Sequence, residues 1–418
     1  MNELSLCSRV VCLSRHYIPY FSLQPLSRPK NSLASTFSRR TSRGVQTSQH
    51  SIPAAYWRGG TSRAVIFHRR DLPVDESEWP FIFLRVLGSP DKYHRQIDGL
   101  GAGISSLSKV CIVSPSTHLS ADIDYTFAAV GITSDDVDFS GNCGNIMSVI
   151  GPYAYNHRLV PPASKSSVTV RIRNTNTSKI IHSTFPVTDD RIEAATGGDY
   201  SIAGVPGTGA EISLSFQDPA GSKTGALLPS GNAIDKLDGI DATCVDAANP
   251  CIFAEAADLG VGGTELLDEI SGNLPLLQRL EKIRHLGGRA MGMCHDTENA
   301  PRCVPKIAVV SKPATYKVMN GKDFEQDHVD IVARVMSDRQ PHRTIPLTVA
   351  VCMAVAATVR GSIVEALVGP RKVKEGVLTI GHPSGTIEVG VEKDEAGNVL
   401  NANVKRTARS LMEGVVYY

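Results

Sequence analysis

The sequence predicts an α+β protein of two similar domains, each a barrel-like sheet curled around one buried helix. Two stretches, residues 145–155 and 345–359, are apolar nearly all round and must be sheathed by protein. Around each of them the chain breaks into short runs whose apolar residues alternate with period two. Strands and amphipathic helices do not alternate regularly, as a doubly wound parallel sheet would require. No internal sequence repeat is visible, so any duplication is structural.

Taken in order, residues 1–50 stand apart from the fold. They carry seven basic residues, one acid (Glu3) and ten serines. That Arg-rich, Ser-rich, acid-poor composition is expected of a mitochondrial transit peptide, with a disordered extension and a cytoplasmic protein as the alternative. A secretory signal does not fit, because Arg9, Arg15 and His16 interrupt any apolar core. Residues 64–67 and 109–113 are brief apolar runs. Ile123, Tyr125 and Phe127 alternate with polar neighbours, as do Val168, Val170 and Ile172, and later Ile212, Leu214 and Phe216. Helical spacing over residues 76–87 stops at Gly88, and a second helical stretch, 266–286, is interrupted by Gly272 and Pro275. The glycine-rich loop 197–209 is the expected crossing between halves. The expected domains are therefore 51–203 and 204–418, with the chain end free to return to the first.

The 418 residues carry 43 Lys and Arg against 42 Asp and Glu, which excludes a strongly basic nucleic-acid binder. The longest apolar run is about fifteen residues where a membrane span needs about 20, so no membrane partner is expected. Nine cysteines without a C-x-x-C pair argue against a disulfide framework or a zinc site. No H-E-x-x-H pattern or carboxylate cluster appears, and the expected metal complement is none.

Four segments could carry chemistry. Arg58-Gly59-Gly60-Thr61-Ser62 exposes backbone N–H groups and two hydroxyls, a nest suited to a carboxylate. Lys109 closes the serine-rich turn containing Ser106, just before an apolar strand; desolvation there would yield a neutral amine able to act as a base. Asn142-Cys143-Gly144-Asn145 opens the first buried helix, where free N–H groups and the helix dipole favour a thiolate or hold a carboxylate. His382-Pro383-Ser384-Gly385 lies in a hairpin-like loop, and His342 precedes the second buried helix. Each of these also reads as an ordinary turn or cap.

As an ordered set these motifs resemble the 2-methylaconitate cis–trans isomerase family, which includes 4-oxalomesaconate tautomerases and aconitate Δ-isomerases. The resemblance also takes in Gln96-Ile97-Asp98-Gly99, Asp246-Ala247-Ala248-Asn249-Pro250, Val304-Pro305-Lys306-Ile307 and Arg406-Thr407-Ala408-Arg409. It implies a diaminopimelate-epimerase-like fold with the site between two domains, and work without cofactor or metal. By motif, Lys109 and Cys143 match the family's catalytic lysine and cysteine. Arg63 and Val349 depart from its pattern, which commonly has Lys and Gly there.

The implied reaction is allylic proton transfer in an unsaturated tricarboxylate. Lys109 would remove a proton to give a delocalised dienolate. Cys143 would protonate the far carbon, moving the double bond or exchanging cis for trans. Lys109 returning its own proton is the one-base alternative. The expected partner is the small-molecule substrate, with a homodimer as the expected assembly if the chain self-associates. Two rival classes stay open: a thiol enzyme using Cys143 as nucleophile, and a catalytically lapsed tricarboxylate-binding protein.

Overall fold

The computed structural model describes residues 48–295, 300–368 and 376–418. The expected leader, residues 1–50, falls almost wholly outside the described residues. Gln49–Tyr418 is one compact unit, and within it the same order of strand pairings occurs twice. In the first half, Ser51–Gly59 and Ser62–His68 form a hairpin. Ser62–His68 runs parallel to Lys109–Pro115, which is antiparallel to Ile123–Val130, itself parallel to Ser167–Asn174. In the second half, Ile240–Ala247 and Asn249–Glu255 form the hairpin. Asn249–Glu255 runs parallel to Lys306–Ser311, which is antiparallel to Ile331–Ser337, itself parallel to Val377–His382. The duplication is structural, as expected.

Each set of strands wraps one helix: Gly144–Asn156 in the first half, Leu347–Ala356 in the second. Every residue of the second helix is buried, as are the first twelve of the thirteen residues of the first. Alternate strand residues face opposite ways, as the period of a pleated strand requires. In the first half Ile66, Cys111 and Phe127 join the core around Gly144–Asn156. Their neighbours Phe67, Val110 and Ala128 pack with an outer helix, Trp79–Leu87. In the second half Phe253, Ala308 and Val335 face inward. Ile252, Ile307 and Met336 instead meet the outer helix Leu274–Ala290. A Leu or Ile to Ala change in either inner layer would cost about 2–5 kcal/mol, since it leaves a cavity that the sheet cannot collapse into.

The outer helices fall where the sequence places them but with different ends: the first starts at Trp79 rather than residue 76, and the second runs on to Ala290 rather than 286. Trp79–Leu87 ends at Gly88, whose φ of 73° is a left-handed cap. The second helical stretch is two helices, Leu267–Gly272 and Leu274–Ala290, broken at Asn273, whose side chain caps the latter by accepting from Leu276 N–H. One continuous sheet joins the two wraps. Ile212–Gln217 pairs with Ile180–Pro186 on one side and Val399–Arg406 on the other. The last strand, Ala408–Tyr417, lies antiparallel to Ser51–Gly59. No helix among the described residues is long and apolar enough to cross a membrane.

Candidate active site

The two wrapped helices meet end to end, and that meeting point is the floor of a cleft. A Cβ on Gly144 would lie 2.9 Å from Leu347 Cβ, so only glycine lets the helix starts approach this closely. Cys143 is the N-cap residue of the first helix, with extended backbone (φ −110°, ψ 95°). The ladder begins with Met147 N–H donating to Cys143 O, which leaves the N–H groups of Gly144 and Asn145 outside it. Asn249 stitches the two starts together. Its Oδ1 accepts from Asn142 N–H at 3.1 Å, and its Nδ2 donates to Asn142 O at 2.8 Å and Thr348 Oγ1 at 3.0 Å.

Lys109 and Cys143 line this one cleft together with Ser62, Asn142, Gly144, Asn145 and His342. Lys109 is the first residue of its strand, is 9% exposed, and holds its ammonium 5.2 Å from the centre of the Phe127 ring. The Cys143 thiol is half-buried, 3.9 Å from Ser62 Oγ. Asn142 Oδ1 is buried without a partner among the described residues, an unused polar atom at the cleft wall.

Other sequence candidates lie elsewhere. Arg58 turns its guanidinium to Gly60 O, Thr407 O and Thr407 Oγ1, tying the hairpin to the last strands. Gly59 serves packing, since a Cβ there would come 2.7 Å from Asn145 O, and Gly60 takes the left-handed turn at φ 51°. Ser106 is replaced at the cleft by its neighbours Ser105 and Ser108. Thr61 and His382 line a different pocket. Ser384 Oγ donates to Arg343 O at 2.6 Å, and Gly385 O accepts from Tyr316 OH at 2.7 Å, so that loop is held as a turn.

Lys306, named in the sequence only as part of the Val304–Ile307 motif and given no role there, belongs to the cleft. It opens the strand Lys306–Ser311 just as Lys109 opens Lys109–Pro115, and these two strands hold equivalent places in the duplicated topology. Its ammonium lines the same cleft and donates to Ser337 Oγ at 3.1 Å. Burial pushes its pKa down, and the nearby Lys109 charge adds to the effect. His342 is held neutral, pushed down to about 3 by burial and by Lys109. Its Nδ1 accepts from Thr344 N–H at 3.1 Å, so the ring proton sits on Nε2. Cys303 also lines the cleft, but burial pushes its thiol up to about 12, which leaves it inert beside Cys143. Arg302 is spent on Asp136 and Asp338, both at 2.8 Å. Two lysines, a neutral histidine and free helical N–H groups give this cleft the donors and the positive charge to hold a polyanion.

Residues 49–418 match the PrpF protein family. The chain belongs to that family. It is 42% identical over 378 residues to a 3-methylitaconate isomerase of Eubacterium barkeri, covering 88% of this chain and 97% of that protein. It is 39% identical over 388 residues to a 2-methyl-aconitate isomerase of Shewanella oneidensis, with 88% and 97% covered. Among solved structures, a methylitaconate-delta-isomerase superposes with a TM-score of 0.72 at 40% identity, covering 88% of this chain and 96% of that one. The chain is an isomerase, and the expected family and fold class hold. The expected mitochondrial location is overturned: these relatives come from bacteria, which have no mitochondria.

Proposed function

We propose that this isomerase acts on unsaturated tricarboxylates of the aconitate or 2-methylaconitate type, by allylic proton transfer that needs no cofactor. The observation that carries this reading is the single cleft holding the Lys109 amine and the Cys143 thiol beside unladdered helical N–H groups. A C–H next to one carboxylate and vinylogous to another is acidified by delocalisation of the resulting dienolate. Lys109 removes that proton. The N–H groups of Gly144 and Asn145, with the Nε2–H of His342, face the negative charge that develops on the carboxylate oxygens. Lys306 supplies the charge that holds a further carboxylate. Cys143 then protonates the far end of the allylic system, and rotation before that step interconverts cis and trans.

A second reading is favoured by the position of Lys306. An amine whose pKa is pushed down is a better acid than an ordinary lysine. Lys306 would then deliver the proton from the second half of the molecule, and Cys143 would only line the cleft. Incubating the enzyme with a small panel of unsaturated di- and tricarboxylates tests the function itself. Turnover of cis-aconitate or 2-methylaconitate is expected, and absence of turnover with every tricarboxylate would refute the substrate class.

A further inference from the structure

Beside the catalytic cleft lies a second polar pocket of about 300 Å³, lined by Thr61, Tyr200, Thr344, His382, Glu388 and Arg406 among others. The two are separated by a wall of hydrogen-bonded side chains. Asn145 Nδ2 donates to Thr61 Oγ1 at 3.2 Å, and Thr61 Oγ1 lies 3.1 Å from Thr344 Oγ1. Arg406 sits against this wall. It is 7% exposed, yet among the described residues no carboxylate lies within ion-pair distance of it. Its guanidinium donates to Asn145 Oδ1 at 3.3 Å and Lys405 O at 2.8 Å, both neutral acceptors, and Nη2 has no partner among the described residues. Burial pushes its pKa down to about 10. The Tyr200 hydroxyl, also without a hydrogen-bond partner among the described residues, lines the same space. A buried guanidinium without a counter-ion is costly, and the cost falls when an anion enters.

We propose that this pocket is a second carboxylate-binding site, separate from the catalytic cleft, in which Arg406 takes a carboxylate of a small organic acid. The planar fork of a guanidinium matches a carboxylate with two parallel hydrogen bonds. The charge setting argues for one carboxylate held at the guanidinium rather than a compact dianion such as phosphate. Lys405 is already paired with Glu211 at 3.0 Å, and the Glu388 carboxylate stands exposed among the lining residues, where it opposes further negative charge. The neighbouring His382 is neutral, pushed down to about 3 by burial and by Arg406, so a single cation serves the pocket.

Equilibrium dialysis of the full chain with labelled tricarballylate, a saturated tricarboxylate that cannot isomerise, tests this. Two equivalents per chain are expected for the wild type and one for Arg406→Gln. Ser201→Glu, on an exposed residue lining the pocket, puts a charge there without touching the core. It should weaken the second site at least tenfold and leave the first unchanged. Glu388→Gln should tighten the second site about two- to fivefold, the size of an exposed charge interaction. Inorganic phosphate at equal concentration should not displace the second equivalent. The first equivalent rests on the proposed function and the second does not: a folded Arg406→Gln that binds as many equivalents as the wild type, no effect of Ser201→Glu, or displacement by phosphate would each overturn the proposal.

Discussion

The two halves of this isomerase wrap the same kind of helix with the same order of strands, yet they present different chemistry to the cleft between them. Each contributes a lysine at the start of the equivalent strand, Lys109 and Lys306. Only the first contributes a thiol at its helix start, because Cys143 stands where the second half has Pro346. Both helix starts leave N–H groups outside the ladder, Gly144 and Asn145 in the first and Leu347 and Thr348 in the second, but the second adds the bulk of Pro346 and Leu347 at the cleft. Duplication thus supplies the scaffold twice, while the proposed mechanism concentrates the proton chemistry on one side. In that mechanism the other side holds and shapes the substrate.

The largest expected effects come from the lysine pair. Lys109→Ala should lower kcat by about 10²–10⁴-fold, the range for one positioned base. Lys306→Met should leave kcat within a few-fold and raise KM about 10–100-fold, the loss of one charge-assisted carboxylate contact. A kcat collapse in Lys306→Met would instead favour its role as the acid. The pH profile sharpens this pair. The Lys306 pKa is lowered, so its ammonium, the form that holds a carboxylate, is lost at a lower pH than for an ordinary lysine. KM should therefore rise as pH climbs through that depressed value, and the limb should vanish in Lys306→Met.

Gly144→Ala comes next. Its Cβ would meet Leu347 Cβ at 2.9 Å, and prising the helix starts apart should cost about 1–3 kcal/mol of stability, read from the denaturant midpoint. The smallest effect should be Thr348→Val at the start of the second helix. It removes one acceptor of Asn249 Nδ2, which keeps Asn142 O, so kcat should fall by less than about threefold. A large kcat loss there would show that the second helix start takes part in the chemistry.

Legibility in the sequence followed the same divide. Both wrapped helices were readable because a helix apolar all round has no other place to go. The first half's strands were readable where one face is wet, as in Ser167–Asn174 with its alternating burial. Asn249–Glu255, Lys306–Ser311 and Ile331–Ser337 are covered on both faces, by the wrapped helix and by Leu274–Ala290, so their residues are buried in succession and no alternation marks them. Lys306 was visible only as part of the Val304–Ile307 motif and was given no role for that reason: a lone lysine at the head of an unmarked strand gives no sign of a site until the pairing order gives it the place equivalent to that of Lys109. Arg58 and Gly59 looked like ligand contacts because a nest and a packing turn share one sequence pattern. Only the approach of Asn145 separates the two.

The central claim, that removal and return of the proton both belong to the first half, is tested most directly by proton NMR in deuterium oxide on Lys109→Ala and Cys143→Ser side by side. Replacing the thiol by a hydroxyl raises the group's pKa far above about 8.5 and makes it a poor acid. Cys143→Ser should therefore wash deuterium into unreacted substrate faster than it makes product, while Lys109→Ala should slow exchange and isomerisation together by the same large factor. Exchange that survives in Lys109→Ala and is lost in Cys143→Ser would contradict this assignment and make the thiolate at the helix start the base.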